Sequence, residues 1–494
     1  MEIKNIINLQ NGSDIRGIAL EGIPGEEVNF TQNMTMKIAF SFAIWLEKKL
    51  GKTPMTIAVG RDSRLSGPHL AQAVALGLIS RGNKVYQCGI ATTPAMFMTT
   101  LDPVIKADGA VMVTASHLPF NRNGLKFFTR NGGLNKEDIT EILELAETVE
   151  TSFTLGGKSI DYDFLPSYAK GIVDLVREKT GESKPLAGTH IVVDAGNGAG
   201  GFFVDQVLNP LGANTEGSLY LDPDGNFPNH VPNPEDPEAI NHITRAVLKN
   251  TADLGIIFDT DVDRAAIIDE KGNAINRNGF IAFISSMVLA DYPGSTIVTD
   301  SITSTGLTDY ITSLGGKHHR FKRGYKNVIN EAIRLNEAGI ETHLAMETSG
   351  HGAIKENYFL DDGAYLVTLA LIKFAELHKA LKPVSSFLEG LKEPLEAKEI
   401  RFKITVDDFK TYGDKVLEDF KIFAQNQPGW TVVIPNYEGV RINCDQSSGN
   451  GWCLLRMSLH DPMMPLNIES DSIGGCEMIE TSLMEYFDQY EALD

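Results

Sequence analysis

Cysteine is scarce. The 494 residues include four, Cys88, Cys444, Cys453 and Cys476. They lie far apart or outside any CxxC spacing, so neither a disulfide framework nor a zinc site is signalled and the thiols read as reduced. Basic residues are the minority sign, 44 against 65 acidic side chains, for a formal charge of 44 − 65 = −21. That balance argues against a broad nucleic-acid surface, which needs clustered Lys and Arg to displace phosphate counterions, and against attraction to anionic lipid. Anionic substrates then need locally basic sites. No apolar run approaches the ~18 residues of a membrane span. The opening MEIKNIINLQNGSDIRG lacks the basic-then-apolar order of a signal peptide, so the expected address is the cytoplasm. There is no GxxxxGK[ST] loop to suggest ATP as donor, and no GxSxG elbow to suggest a hydrolase.

The length implies about three or four domains, each able to bury a core without staples. Three segments read alike: TIAVGRDSRLSG from Thr56, HIVVDAGNGAGG from His190 and TIVTDSITSTG from Thr296. Each is a β-rich run entering a Gly, Ser and Asp loop, then a helix-like stretch, then a second apolar run (KVYQCGI, GSLYL, KHHRF). A third run follows in each and ends in a denser polar loop: AVMVTASH, LGIIFDTD and HLAMETSG. This alternation predicts parallel βαβ units whose strand-end loops form the ligand crevice. Beyond about residue 395, EIRFKITVDDF, GWTVVIP and GWCLLRMSL alternate as antiparallel strands around the helical VLEDFKIFAQN. The two-proline linker ALKPVSSFLEGLKEPLEAK marks the boundary. The expected organisation is three similar α/β domains with mixed, largely parallel sheets, at 1–152, 153–274 and 275–395, and a smaller α+β domain at 396–494.

The polar loops carry the chemistry. Ser116 stands at a strand end beside His117 and ahead of Lys126, the outline of a nucleophile with acid/base neighbours, although an ordinary loop has the same composition. Asp259, Asp261 and Asp263 alternate after a buried run. Three such carboxylates repel one another unless a cation is bound, and hard oxygen ligands suit Mg²⁺. A calcium loop also begins D-x-D-x-D and finds its twelfth-position glutamate in Glu270, but Arg264 stands where that loop needs glycine; a solvated acidic turn is the third option. Glu347, Thr348, Ser349, Gly350 and His351 could accept hydrogen bonds from sugar hydroxyls or form a plain turn. Gly196–Gly201 satisfies GxGxxG after a strand, the fingerprint of a dehydrogenase, but Asp222 comes later than the acidic residue that fingerprint expects about 20 positions on.

Taken together, TASHLPFNRNGLK, FDTDVDR and METSGH, in this order and spacing, resemble the α-D-phosphohexomutases, which include phosphoglucomutase and phosphomannomutase. SDIRG, VGRDSRLSGP, PDGNFPNHVPNP and FKRGYKNVI extend the likeness over essentially the whole chain. The resemblance implies four domains around a central cleft. Ser116 would carry a phosphoryl group, and Asp259, Asp261 and Asp263 would hold Mg²⁺ that also binds the phosphoserine. Arg264 and Arg16 would neutralise phosphoryl charge, Lys126 and His117 would transfer protons, and Glu347 and Ser349 would bind the sugar with help from His351. The partners implied are small hexose phosphates, with no nucleic acid and no membrane, in a monomer or small homo-oligomer.

The last domain departs from the family pattern. Its phosphate loop usually reads R-P-S-G-T-E-P and ends in a second arginine. Here Arg456-Met457-Ser458-Leu459-His460-Asp461-Pro462 stands instead, with Pro465 at the arginine position. Losing the glycine hinders backbone amides from wrapping an anion, and losing the arginine removes a bidentate contact. Arg441, His460 and Lys326 become candidate substitutes beside Arg456 and Ser458. The altered loop resembles a branch that makes glucose 1,6-bisphosphate, fructose 1,6-bisphosphate recharging the serine. Synthesis of glucose 1,6-bisphosphate is therefore the expected activity, with a hexose 1,6-bisphosphate as activator or donor. An ordinary mutase is the alternative, and a silent hexose-phosphate sensor stands further off.

Overall fold

The computed structural model describes residues 6–150, 156–458 and 461–494, apart from the Glu485 side chain. It has the expected architecture of three α/β domains with mixed, largely parallel sheets and a smaller C-terminal domain on an antiparallel sheet. The chain divides into two compact units. One holds the described residues through Met287 together with Ser349–Glu389, the other Val288–Thr348 with Gly390–Asp494.

In the first unit, the strands Gly109–Val113, Thr56–Arg61, Lys84–Ile90 and Lys158–Asp161 lie side by side and parallel. Arg122–Thr129 and Asp14–Ile18 add antiparallel neighbours on the Gly109–Val113 side. Gly109–Val113 is buried on both faces, which is why its sequence is a continuous apolar run rather than an alternation. Val111 and Val113 join Phe42, Leu46, Val74 and Ile142 from the helices Gln32–Leu50, Gly67–Ile79 and Lys136–Thr148 in one core. The first of these helices is set by its ends: Thr31 accepts the Met34 N–H, Lys48 and Lys49 stand in the last turn, and Gly51 closes it at φ 61°.

A second sheet in this unit runs Ala274–Ile275, Ala265–Ile268, Leu254–Phe258, Ile191–Asp194, with only the last pair parallel. The helix Pro237–Asn250 covers one face through Ile243 and Val247 against Val192, Ile257 and Ile268. The expected strand GSLYL does not form. Its residues make a single bridge, Asp194 to Leu219, because Gly217 (φ 86°) and Tyr220 (φ 52°) turn the chain out of the extended region.

The second unit contains the parallel strands Lys317–Arg320, Thr296–Thr299 and Thr342–Met346, packed by the helix Tyr325–Glu337. Its C-terminal sheet has five antiparallel strands in the order Glu396–Lys403, Met463–Ser470, Gly451–Leu455, Val440–Cys444, Trp430–Val432. Two of these, Val440–Cys444 and Met463–Ser470, go beyond the three runs legible as strands. Alternate residues Ile442, Leu455, Leu466 and Ile468 face the helices Phe409–Gln425 and Gly475–Phe487. From the other face, Trp452 and Leu454 pack on Ile302.

Candidate active site

The strand Gly109–Val113 delivers Ser116 in a left-handed conformation, φ 50°, uncommon for a residue with a side chain. Its N–H donates to Thr114 Oγ1 (2.9 Å), whose hydroxyl donates to Asp62 Oδ2 (2.7 Å). Arg16 holds the same turn, donating from Nη1 to the Thr114 carbonyl and pairing through Nη2 with Asp14 at 2.8 Å. Arg16 is therefore a brace for the serine loop here rather than an unengaged cation. The Ser116 hydroxyl donates to Asp259 Oδ2 and accepts from Arg264 Nη2, each at 2.9 Å.

Asp259, Asp261 and Asp263 are buried, on the loop leaving Leu254–Phe258. Val262 within it has φ 65°, a strained value for a β-branched residue, held where Gly363 N–H donates to the Val262 carbonyl at 3.2 Å. Gly363 must be glycine: a Cβ there would meet the Arg264 backbone at 2.7 Å. Carboxylate oxygens of the three aspartates lie within 4.8 Å of one another. Oδ1 of Asp261 and Oδ1 of Asp263 are buried with no hydrogen-bond partner among the described residues. Burial and the neighbouring Asp263 and Asp261 charges push the Asp259 carboxyl well above its usual range. Orphaned hard oxygens and mutual repulsion are what a divalent cation would relieve, so this donor set fits Mg²⁺.

Two expected proton carriers are placed differently. Lys126 Nζ lies 3.1 Å from Asp261 Oδ2 and also bonds Asp263. Burial disfavours its charge, but the two aspartates outweigh burial and hold the ammonium well above its ordinary pKa. With no ion among these carboxylates, Lys126 sits as an ammonium beside Asp261 and Asp263. His117 Nδ1 accepts from Arg264 Nη2 at 2.6 Å, which fixes it as a neutral imidazole. Burial, then Arg264, His351 and Arg16, push its pKa down to about 2. In this geometry it orients Arg264 and has no proton to give at Nδ1.

His351, expected to assist the sugar loop, meets two carboxylates. It bonds Asp361 Oδ2 through Nδ1 at 2.6 Å and lies 3.9 Å from Asp263 Oδ1. Burial opposes its charge, yet Asp361 and Asp263 raise its pKa to about 9. Asp361, which follows the third loop, was not among the expected site residues; the acidic pair before Gly363 was its only signal. Ser349 is buried in the first unit, while Glu347, in the second, accepts the Gly324 N–H at 2.6 Å.

In the second unit, Arg441 is no phosphate ligand. It is buried, donates to the carbonyls of Ser301 (2.9 Å) and Thr303 (3.1 Å), and stacks 3.6 Å over the Trp452 ring. Arg456 is buried too, but its Nε has no partner among the described residues. The N–H groups of Arg456 and Ser458 donate to Pro465 and Met463 carbonyls, so neither amide is open to an anion. Lys326 sits in the first turn of Tyr325–Glu337, half-buried, and His460 lies outside the described residues. Arg323, one turn earlier, was not foreseen as a site residue. Its Nε is 3.5 Å from Asp300 and its N–H donates to Glu438, in the segment before Arg441.

The glycine loop is not a dinucleotide cradle. A Cβ on Gly198 would meet the Thr260 carbonyl at 2.7 Å, and one on Gly201 the Leu221 carbonyl at 2.1 Å. The glycines allow backbone to pack on backbone, one contact being the aspartate loop itself.

Comparison with known proteins agrees with this geometry. Phosphoglucomutase/phosphomannomutase alpha/beta/alpha domain I matches residues 8–152, domain II 166–272 and domain III 276–393. A phosphomannomutase/phosphoglucomutase of Pseudomonas aeruginosa is 30% identical over 446 residues, 89% of this chain and 90% of that protein. A phosphoglucomutase of Neisseria gonorrhoeae is 30% identical over 428 residues, covering 86% of each. The crystal structure of a phosphoglucomutase/phosphomannomutase family protein from Burkholderia thailandensis superposes with a TM-score of 0.79 at 25% identity, over 98% of both chains.

Proposed function

The chain belongs to the phosphoglucomutase/phosphomannomutase family, and on that premise we propose that it is a phosphohexomutase, interconverting hexose 1- and 6-phosphates through a phosphorylated Ser116. The observation that carries the reading is the seat of the Ser116 hydroxyl, 2.9 Å from both Asp259 Oδ2 and Arg264 Nη2. Phosphoryl transfer is catalysed chiefly by in-line positioning and by neutralising charge on the equatorial oxygens. Arg264, oriented by Asp259 and His117, supplies one donor to those oxygens, and the Lys126 ammonium adds charge nearby. Asp259, Asp261 and Asp263 would hold Mg²⁺, which supplies further charge neutralisation at the phosphoryl group. A sugar hydroxyl takes the phosphoryl group as the bond from phosphorus to the Ser116 oxygen breaks, and the proton the sugar loses ends on that serine oxygen. The bisphosphate then returns the phosphate of its other end to the serine oxygen.

Glu347 and Ser349 are assigned to sugar hydroxyls, and Arg456, Ser458, Lys326 and Arg323 to the phosphate that does not react. Domain limits at 1–152, 153–274, 275–395 and 396–494 go with this reading. The names of the relatives favour the mutase over the bisphosphate synthase expected from the C-terminal loop. One observation keeps the synthase as a second reading: the amides of Arg456 and Ser458 are already paired, and Pro465 replaces an arginine, so the distal phosphate has fewer ligands.

Phosphorus NMR with Mg²⁺ and glucose 1-phosphate, with and without fructose 1,6-bisphosphate, separates the two. A mutase converts glucose 1-phosphate to glucose 6-phosphate with bisphosphate needed only in trace. Glucose 1,6-bisphosphate accumulating beyond the enzyme present, and only with fructose 1,6-bisphosphate, would establish the synthase. No turnover and no phosphoserine would instead indicate the sensor.

A further inference from the structure

Arg64, in the segment VGRDSRLSGP, carries no assigned role, yet its side chain is among the largest that are fully buried. Its guanidinium converges on one loop. Nη1 donates to the carbonyls of Pro119 (2.8 Å) and Arg122 (3.0 Å), and Nη2 to those of Ser116 and Leu118. Four carbonyls of one seven-residue stretch thus point at a single cation. Asp62 fixes the cation in turn. Its Oδ1 accepts the Arg64 N–H at 3.0 Å, its Oδ2 makes an ion pair at 3.4 Å with Arg64 Nε without a hydrogen bond, and the same Oδ2 accepts the Thr114 hydroxyl that caps Ser116.

A second segment seals the arrangement. The sequence PDGNFP places Gly225 so that a Cβ would meet Leu65 N at 2.4 Å, and sets the Phe227 ring 5.3 Å from the Arg64 guanidinium carbon. The Arg64 side chain is fully buried, which strengthens its charge-assisted bonds. A left-handed serine is intrinsically unfavourable and persists only where surrounding structure over-determines it. The Ser116 carbonyl, turned back onto Arg64, is one of these contacts, beside the N–H on Thr114 Oγ1 and the hydroxyl on Asp259 Oδ2.

We infer that Arg64, oriented by Asp62, is the positioning residue that locks residues 114–122 and so aims the Ser116 hydroxyl at Asp259 and Arg264. The inference rests on Ser116 being the phosphoryl carrier. Arg64 touches no reacting atom; it acts through the loop backbone. A lysine cannot reach four carbonyls from a planar fork, so the conservative change is not conservative here.

The test uses the full chain as Arg64→Lys and, because a buried arginine could be needed for folding, also as Asp62→Asn, which keeps size and shape. Phosphoserine is measured by intact mass after exposure to glucose 1,6-bisphosphate and Mg²⁺, and kcat and KM are taken per mole of folded protein. The expected result is a fall in kcat on the order of 100-fold for Arg64→Lys, the cost of misplacing a reacting group by about 1 Å, and a smaller fall for Asp62→Asn. KM should stay within about threefold in both, because the sugar contacts lie elsewhere. A purely structural role would lower the melting temperature and the folded yield while leaving kcat per folded molecule unchanged in either variant that folds, and that result overturns the inference. Wild-type protein that turns over hexose phosphate without phosphate on Ser116 would overturn the assignment of the carrier itself, a separate failure.

Discussion

The Ser116 loop and the Arg456 loop both leave a buried strand, and their polar groups are treated in opposite ways. Around Ser116 the hydroxyl meets Asp259, the N–H Thr114 and the carbonyl Arg64, and Asp62 in turn holds Thr114 and Arg64. In the Arg456 loop the backbone amides pair with the neighbouring strand, while the buried Arg456 Nε has no partner among the described residues. A group that must be aimed is over-determined by protein contacts. An unpaired buried donor does not mark a binding group by itself, since Arg64 Nε is also without a hydrogen-bond partner among the described residues; the proposed function gives the Arg456 donor to the distal phosphate. The contrast separates a locked loop, whose defects should show in kcat, from a receptive one, whose defects should show in KM.

The largest expected effect comes from removing the carrier. Ser116→Ala should abolish the phosphate adduct seen by intact mass and cut turnover by more than about 10³-fold. The melting temperature should hold, since alanine and serine bear the same left-handed strain. Asp261→Asn comes next: Mg²⁺ affinity, titrated calorimetrically, should fall by at least the roughly 10- to 100-fold that loss of a supporting partner costs. Unchanged affinity would move the ion elsewhere, the nearest alternative being Asp263, His351 and Asp361, whose ligand atoms also lie within 4.8 Å of one another. Arg456→Gln should act on the other half of the contrast, raising KM for the hexose phosphate roughly 10- to 100-fold through loss of a charge-assisted contact. A fall in kcat at constant KM would show that the two loops do not divide the work in this way.

The smallest effect is on stability. In the folded protein His351 titrates at about 9, against 6.5 ordinarily, because Asp361 and Asp263 overcome the cost of burial. Its stabilisation is therefore fully present below about pH 6.5 and is lost as the pH rises through about 9. Metal-free protein should melt at progressively lower temperature across that range, and His351→Gln should flatten the slope. An equal slope in the variant would show that the pair is not charged.

Much of the site was legible because its parts are local. An apolar run ending in Ser116, and another ending in three alternating aspartates, announce strand ends with chemistry on them, and period and composition survive without tertiary context. Misreadings arose where a residue's role depends on what packs against it. Arg441 reads as a cation available to a phosphate, but its sheet face packs on the Ser301–Thr303 loop, whose carbonyls take its donors. The GxGxxG pattern reads as a phosphate cradle, but a glycine required by backbone packing looks the same in a sequence.

The sequence by itself determined the three repeated α/β units, the C-terminal change to an antiparallel sheet, the strand-end serine and the acidic triplet, since each is written in contiguous residues whose spacing obeys strand and helix periods. Only the tertiary structure decided which charges face one another. Arg64 meets carbonyls more than 50 positions away, His351 finds Asp361 and Asp263, and Lys126 reaches carboxylates 135 and 137 residues on. Electrostatic roles follow distance and burial in space, and neither is a function of separation along the chain.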